Sequence, residues 1–98
     1  MPQYLVTAYD GTDAEAPARR QAVRDAHIAG VTAMAAKGEI IVGGALGDEA
    51  GAMIGSVAVV EFASRADLDA WLAREPYVTG GVWQTVAVTP MRVAVRAP

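Results

Sequence analysis

The chain has 98 residues, 53% of them apolar, a formal net charge of −3 and no cysteine. That length makes one domain, near the small end of what a single core can stabilise. The acidic balance argues against a binder of nucleic-acid phosphates, and the missing thiols exclude a disulfide framework, a cysteine nucleophile and a thiolate metal site. No run approaches the roughly 18 uninterrupted apolar residues of a membrane span and no signal-peptide pattern opens the chain, which fits a cytoplasmic protein.

Gln3 to Tyr9 is rich in β-branched and aromatic residues and reads as a first strand, with Asp10-Gly11 at its exit. Pro17 suits the first turn of the helix that follows, where its missing N–H costs nothing. From Arg19 to Lys37 the pattern is amphipathic: Val23, His27, Val31 and Met34 fall on one face of a 3.6-residue period. The only histidine therefore lies in an apolar stripe, either as a core residue with a satisfied ring or as the start of a site. Arg20 and Arg24 border that stripe. With Arg19 they are the only local cluster of positive charge, either a solvated helix edge or a clamp for an anionic small molecule. Gly30 weakens the helix interior and offers room for close packing, and Gly38 is placed for a C′ cap.

Glu39 to Leu46 reads as a second strand, whose Gly43-Gly44 pair suggests a bulge or a close approach of backbone to ligand. Gly47 to Ile54 reads as a flexible connection, and Gly55 to Phe62 as the strongest strand. Ser64 caps a second helix, with Asp67 where a capping-box acid stands. Its spacing puts Leu68, Trp71, Leu72 and Glu75 on one face, and Pro76 marks its end. Tyr77 to Gly81 turns the chain. A last strand, Val82 to Val95, is interrupted at Pro90, which belongs on an edge or at a bulge.

The order β-α-β-β-α-β predicts an α+β fold of the ferredoxin-like kind: a four-stranded antiparallel sheet with both helices on one face. The third strand places Ala58, Val60 and Phe62 on one side and Val57 and Val59 on the other. In the fourth, Val82, Val86 and Val88 oppose Trp83 and Ala87. Two apolar faces and two helices leave one face uncovered, which predicts a homodimer packed sheet to sheet.

His27 is the natural general acid/base, with an ordinary pKa of about 6.5. Glu75 continues an apolar stripe, so it is either a solvated helix end or a carboxylate turned inward to orient the imidazole. Ser56 is either a hydroxyl satisfied by backbone or a donor to a ligand oxygen. A Ser56–His27–Glu75 hydrolytic triad is not supported, because no G-x-S-x-G elbow surrounds Ser56. One histidine and scattered carboxylates predict no metal site, and the glycine pairs match no cofactor-binding loop, so no cofactor is expected.

Several segments then resemble the YciI-like family. Val23-Arg24-Asp25-Ala26-His27-Ile28 resembles its R-x-x-H-L helix, and Lys37-Gly38-Glu39-Ile40-Ile41-Val42-Gly43-Gly44 its G-R-L-L-x-x-G-P strand. Gly55-Ser56-Val57 through Glu61-Phe62 resembles its G-S-x-x-I-x-E-F strand, and Glu75-Pro76-Tyr77-Val78 its D-P-Y-V segment. Val86-Ala87-Val88-Thr89-Pro90-Met91 resembles its V-x-V-x-P-F close. The resemblance implies a dimeric α/β barrel with a cleft holding a His–carboxylate pair, matched here by His27 and Glu75. Arg24, Ser56, Pro76 and Tyr77 match other pocket positions. Two departures stand out: Glu75 replaces the usual aspartate, and Gly44-Ala45 stands where the family has G-P. The expectation is a small cofactor-free enzyme. His27 and Glu75 would transfer protons, by elimination or isomerisation, on a small organic acid or phenol-like molecule bound by Arg24, Ser56 and Tyr77. The alternative is a non-catalytic dimeric domain that binds a small molecule.

Overall fold

Seven elements follow in chain order: β1 (Gln3–Asp10), α1 (Ala16–Ala36), β2 (Ile40–Gly47), β3 (Met53–Glu61), α2 (Arg65–Arg74), α3 (Pro76–Thr79) and β4 (Trp83–Met91). The computed structural model describes residues 1–98. All strand pairs are antiparallel, in the order β2-β3-β1-β4. This is the α+β ferredoxin-like arrangement expected from the sequence, with α3 added. No helix is long and apolar enough to cross a membrane.

Local signals set the element ends. Pro17 lies in the first turn of α1. At the other end Gly38 adopts φ +80, and the amides of Gly38 and Glu39 donate to the carbonyls of Ala35 and Met34 at 3.0 Å. That is a Schellman closure, and the left-handed residue it needs is a glycine. The Ser64 hydroxyl accepts from the Asp67 amide at 3.1 Å and starts α2. Pro76 keeps Glu75 out of the helical region (φ −63, ψ 126), so α2 stops at Arg74.

One sheet face carries the core. Val6, Val60 and Phe62 pack with Met34 of α1 and Leu68 and Trp71 of α2, while Ala8 packs with Tyr77, Val82 and Trp83. Directly paired residues share a face. The opposite face therefore presents Leu5 beside Val59, Thr7 between Val57 and Ala87, and Val42 beside Val59. No helix covers it.

The structure corrects the sequence reading in six places. A bulge between the Tyr9–Thr85 and Asp10–Trp83 pairs inserts Gln84, so Trp83 shares the helix-covered face with Val86 and Val88 instead of opposing them. β4 ends at Met91; Pro90 lies within it, on the sheet edge where its missing N–H leaves no ladder bond broken. Tyr77 to Gly81 is largely the short helix α3, not a plain turn. The connection after β2 is an ordered hairpin loop, in which the Asp48 carboxylate accepts from the amides of Ala50 and Ala52 at 2.9 Å. The irregularity in β2 falls at Ile41, between the Ile40–Val60 and Val42–Val59 pairs, and a second lies near Gly47, so the bulge alternative at Gly43-Gly44 falls while both glycines line a cavity. Finally, nothing approaches Gly30 within 4 Å; the close helix contact is made by Gly80, against Val23.

Those two glycines give opposite expectations. A Cβ at Gly80 would lie 2.7 Å from the Pro76 carbonyl oxygen and 3.2 Å from the Val23 methyls, pushing α3 off α1. Gly80→Ala should therefore destabilise by about 1–3 kcal/mol. Gly30→Ala, exposed in mid-helix, should stabilise by about 0.5–1 kcal/mol. Urea midpoints of the two variants check both signs.

Candidate active site

The site is built where α1, α3 and β3 meet β4. His27, at mid-helix on the α1 stripe, hydrogen-bonds through Nδ1 to Glu75 Oε1. The same oxygen accepts from the Tyr77 amide at 3.2 Å, and Oε2 accepts from the Trp71 indole at 3.2 Å. Glu75 thus caps α3 with a side chain that is only 2% exposed. Because its oxygens already accept from N–H groups, the hydrogen of the His27 contact belongs to Nδ1, and Nε2 is the free ring nitrogen.

The His27 ring stacks on Tyr77, with centroids 3.8 Å apart and planes 11° from parallel. Trp83 meets both rings edge-on, at 5.9 and 5.7 Å. The Arg20 guanidinium lies 4.8 Å from the centre of the Tyr77 ring. Arg20 also donates to both Asp10 oxygens at 2.9 Å, to Ser56 Oγ at 3.0 Å and to the Gly55 carbonyl at 3.2 Å. Its charge is therefore neutralised inside the fold. Arg24 is exposed, lines the cleft and makes no ion pair.

Ser56 Oγ accepts a second bond, from the Trp83 indole at 3.1 Å. The hydroxyl is satisfied by side chains, not by backbone. No hydrogen bond joins it to His27, so the nucleophile–base contact of a hydrolytic triad is missing. With both lone pairs engaged, its own hydrogen is the group left to give. Neither His27 Nε2 nor the Tyr77 hydroxyl has a protein partner, and no fully sealed polar atom lacks one, so both open to the cleft. The cavity they share measures about 590 Å³ and runs between α1 and the β2–β3 hairpin. No three His, Asp or Glu side chains converge anywhere in the chain.

Of the residues singled out from the sequence, the fold brings His27, Ser56, Tyr77 and Arg24 to the lining of one cavity, with Glu75 buried behind His27 and bonded to its Nδ1. Sequence reasoning missed Asp10, read only as a strand exit, and the roles of Trp71 and Trp83. It also missed that Arg20 is tied to Ser56 and Asp10. A signal for Asp10 was available in principle, as a carboxylate continuing the inward-facing alternation of Val6 and Ala8.

A four-stranded antiparallel sheet with one helical face and a cleft behind the first helix defines a small α+β domain of ferredoxin-like type. More narrowly, the chain belongs to the YCII-related domain family, whose model matches residues 2–92. It is 30% identical over 95 residues to Protein YciI of Escherichia coli O6:H1 and of Shigella flexneri, covering 91% of this chain and 95% of those proteins. Its fold matches the 5-chloro-2-hydroxyhydroquinone dehydrochlorinase of Burkholderia phenoliruptrix AC1100, solved in complex with 2,5-dihydroxybenzoquinone. That match has a TM-score of 0.80 and 23% identity, over 92% of this chain and 93% of that one.

Burial pushes the Tyr77 phenol above its ordinary value, against the opposing pull of Arg20 and Arg24. An acid raised in the folded state contributes stability that is complete below the unfolded pKa of about 10 and is lost as pH rises through the folded value. Tyr77→Phe should remove that part of the alkaline loss. Denaturant midpoints of both proteins across this range test it; parallel profiles would contradict it.

Proposed function

We propose that this protein is a small cofactor-free enzyme in which His27 and Glu75 form an acid/base dyad acting on a small oxygenated ring, phenol-like or acidic. One observation carries the reading: an imidazole anchored through Nδ1 to a buried carboxylate, with Nε2 unpartnered and open to a cavity. Nε2 takes a proton from a hydroxyl or an acidic carbon of the ligand. The imidazolium that forms is stabilised by the adjacent carboxylate. The electron pair released into the ring expels a leaving group with its bonding electrons, or returns to another atom in an isomerisation; the proton then passes to solvent or back to the product. Arg24 balances the ligand's negative charge, the Ser56 hydroxyl donates to a ligand oxygen, and Tyr77 supplies a second hydroxyl while its ring backs the imidazole. The dehydrochlorinase of the same fold supports elimination as the reaction type.

The test uses that enzyme's substrate, 5-chloro-2-hydroxyhydroquinone, and measures chloride release. His27→Asn should keep the fold and lower turnover by roughly 10²- to 10⁴-fold, the range of a general acid/base. Tight binding of 2,5-dihydroxybenzoquinone without any turnover by the unaltered protein would favour the non-catalytic alternative.

The second part of the proposal is a homodimer formed through the uncovered sheet face. Leu5, Val57, Val59 and Ala87 lie together there, with Tyr9 and Val42 49% and 61% exposed. Covering several hundred Å² of apolar surface at roughly 25 cal/mol per Å² disfavours a lone monomer at micromolar concentration. Sedimentation is expected to give twice the chain mass; a folded monomer at that concentration would sink the idea.

A further inference from the structure

The polar groups of the cavity are gathered at one end. Arg20, His27, Ser56 and Tyr77 cluster there, with Arg24 one turn away on the rim. Beyond His27 the α1 side of the cavity continues through Ile28, Val31, Thr32 and Ala35, faced by Ile40 and Ile41 of β2 and Ala58 of β3. No charged side chain lines this stretch, and Thr32 is its single hydroxyl. From His27 to Ala35 is eight residues, about 12 Å along a helix axis. A cavity of about 590 Å³ lies well inside the range that holds a drug-sized ligand, more than one oxygenated ring needs. The Ile41 irregularity bends β2 beside this stretch.

From this division we infer that the ligand is amphipathic: an oxygenated ring at His27 carrying an apolar chain or second ring that lies between α1 and the β2–β3 hairpin. The inference rests on the acid/base reading for the ring end, and deepens it by adding a subsite that selects substituents. An alkyl chain in the arm is held by area alone, so affinity should rise with chain length and stop rising when the arm is full. A surface patch would show no such stop.

The experiment titrates the intact protein with 2,5-dihydroxybenzoquinone and with derivatives carrying one n-alkyl chain of increasing length, following the fluorescence of Trp71 and Trp83, which both line the cavity, and calorimetry. Affinity should tighten about fourfold for each methylene buried, the equivalent of about 0.8 kcal/mol, and then level off. Ala35→Phe, which fills the far end, should bring the levelling to a shorter chain, and Ile28→Gln should reduce the gain per methylene. Both positions are solvent-exposed, so neither change threatens the fold. Binding of the bare ring with no gain on lengthening, or the same gain in both variants, would overturn the arm and leave the acid/base reading standing. No binding by any member of the series would overturn both.

Discussion

The Glu75 carboxylate gathers three N–H donors from three different elements, and the site end of the domain is arranged around that junction. Its contacts run to His27 in α1, to Trp71 in α2 and to the amide of Tyr77 in α3. A charge with 2% exposure persists only where donors replace water, since a buried ion without partners costs several kcal/mol. Here each donor is also a structural tie. Pro76 stops α2, Glu75 turns extended, and its side chain folds back to cap the next helical turn. Capping alone asks for a carboxylate at that position. The same oxygen, Oε1, also meets the histidine, so the local rule for ending one helix also sets the ring orientation on another.

A second buried pair, Asp10 with Arg20, does for the strands what Glu75 does for the helices. It bridges the end of β1 to α1 and extends through Arg20 to Ser56 and Gly55 on β3. Trp83 completes the ring by donating to Ser56. The consequence for chemistry is a charge inventory. Asp10 cancels Arg20, and the histidine contact leans on Glu75, so the floor of the cavity carries little net positive charge. Arg24, on the rim, is the lining arginine that makes no ion pair. An arrangement of this kind suits a group that becomes anionic on losing its proton better than one that arrives strongly charged.

Much of this was legible in the chain because it depends on short-range rules. The α1 stripe, the Ser64 cap, the Pro76 stop and the inward face of α2 each follow from spacing within about two turns. What escaped was set by partners far away in sequence. One inserted residue, Gln84, reverses the facing of everything before it in β4, so simple alternation misplaces Trp83. The burial of Arg20 rests on a carboxylate ten residues back and a serine across the sheet, which no helical wheel contains. The bulge at Ile41 and the close approach at Gly80 belong to the same class.

The glutamate itself is the clearest case of sequence departing from family pattern for a physical reason. Where the family motif reads D-P-Y, an aspartate can cap the following turn, as short acids commonly do. Here the cap donor, the Trp71 indole and the imidazole all meet one carboxylate, and Pro76 fixes the backbone from which it starts. The added methylene gives the carboxylate its reach to the indole while keeping the other oxygen on the amide and ring. Shortening it would force a choice among donors, and the amide, being part of the backbone, moves least. The contacts at risk are therefore those to Trp71 and His27. An exchange that looks conservative at this position would act on the orientation of the imidazole before it acted on the fold.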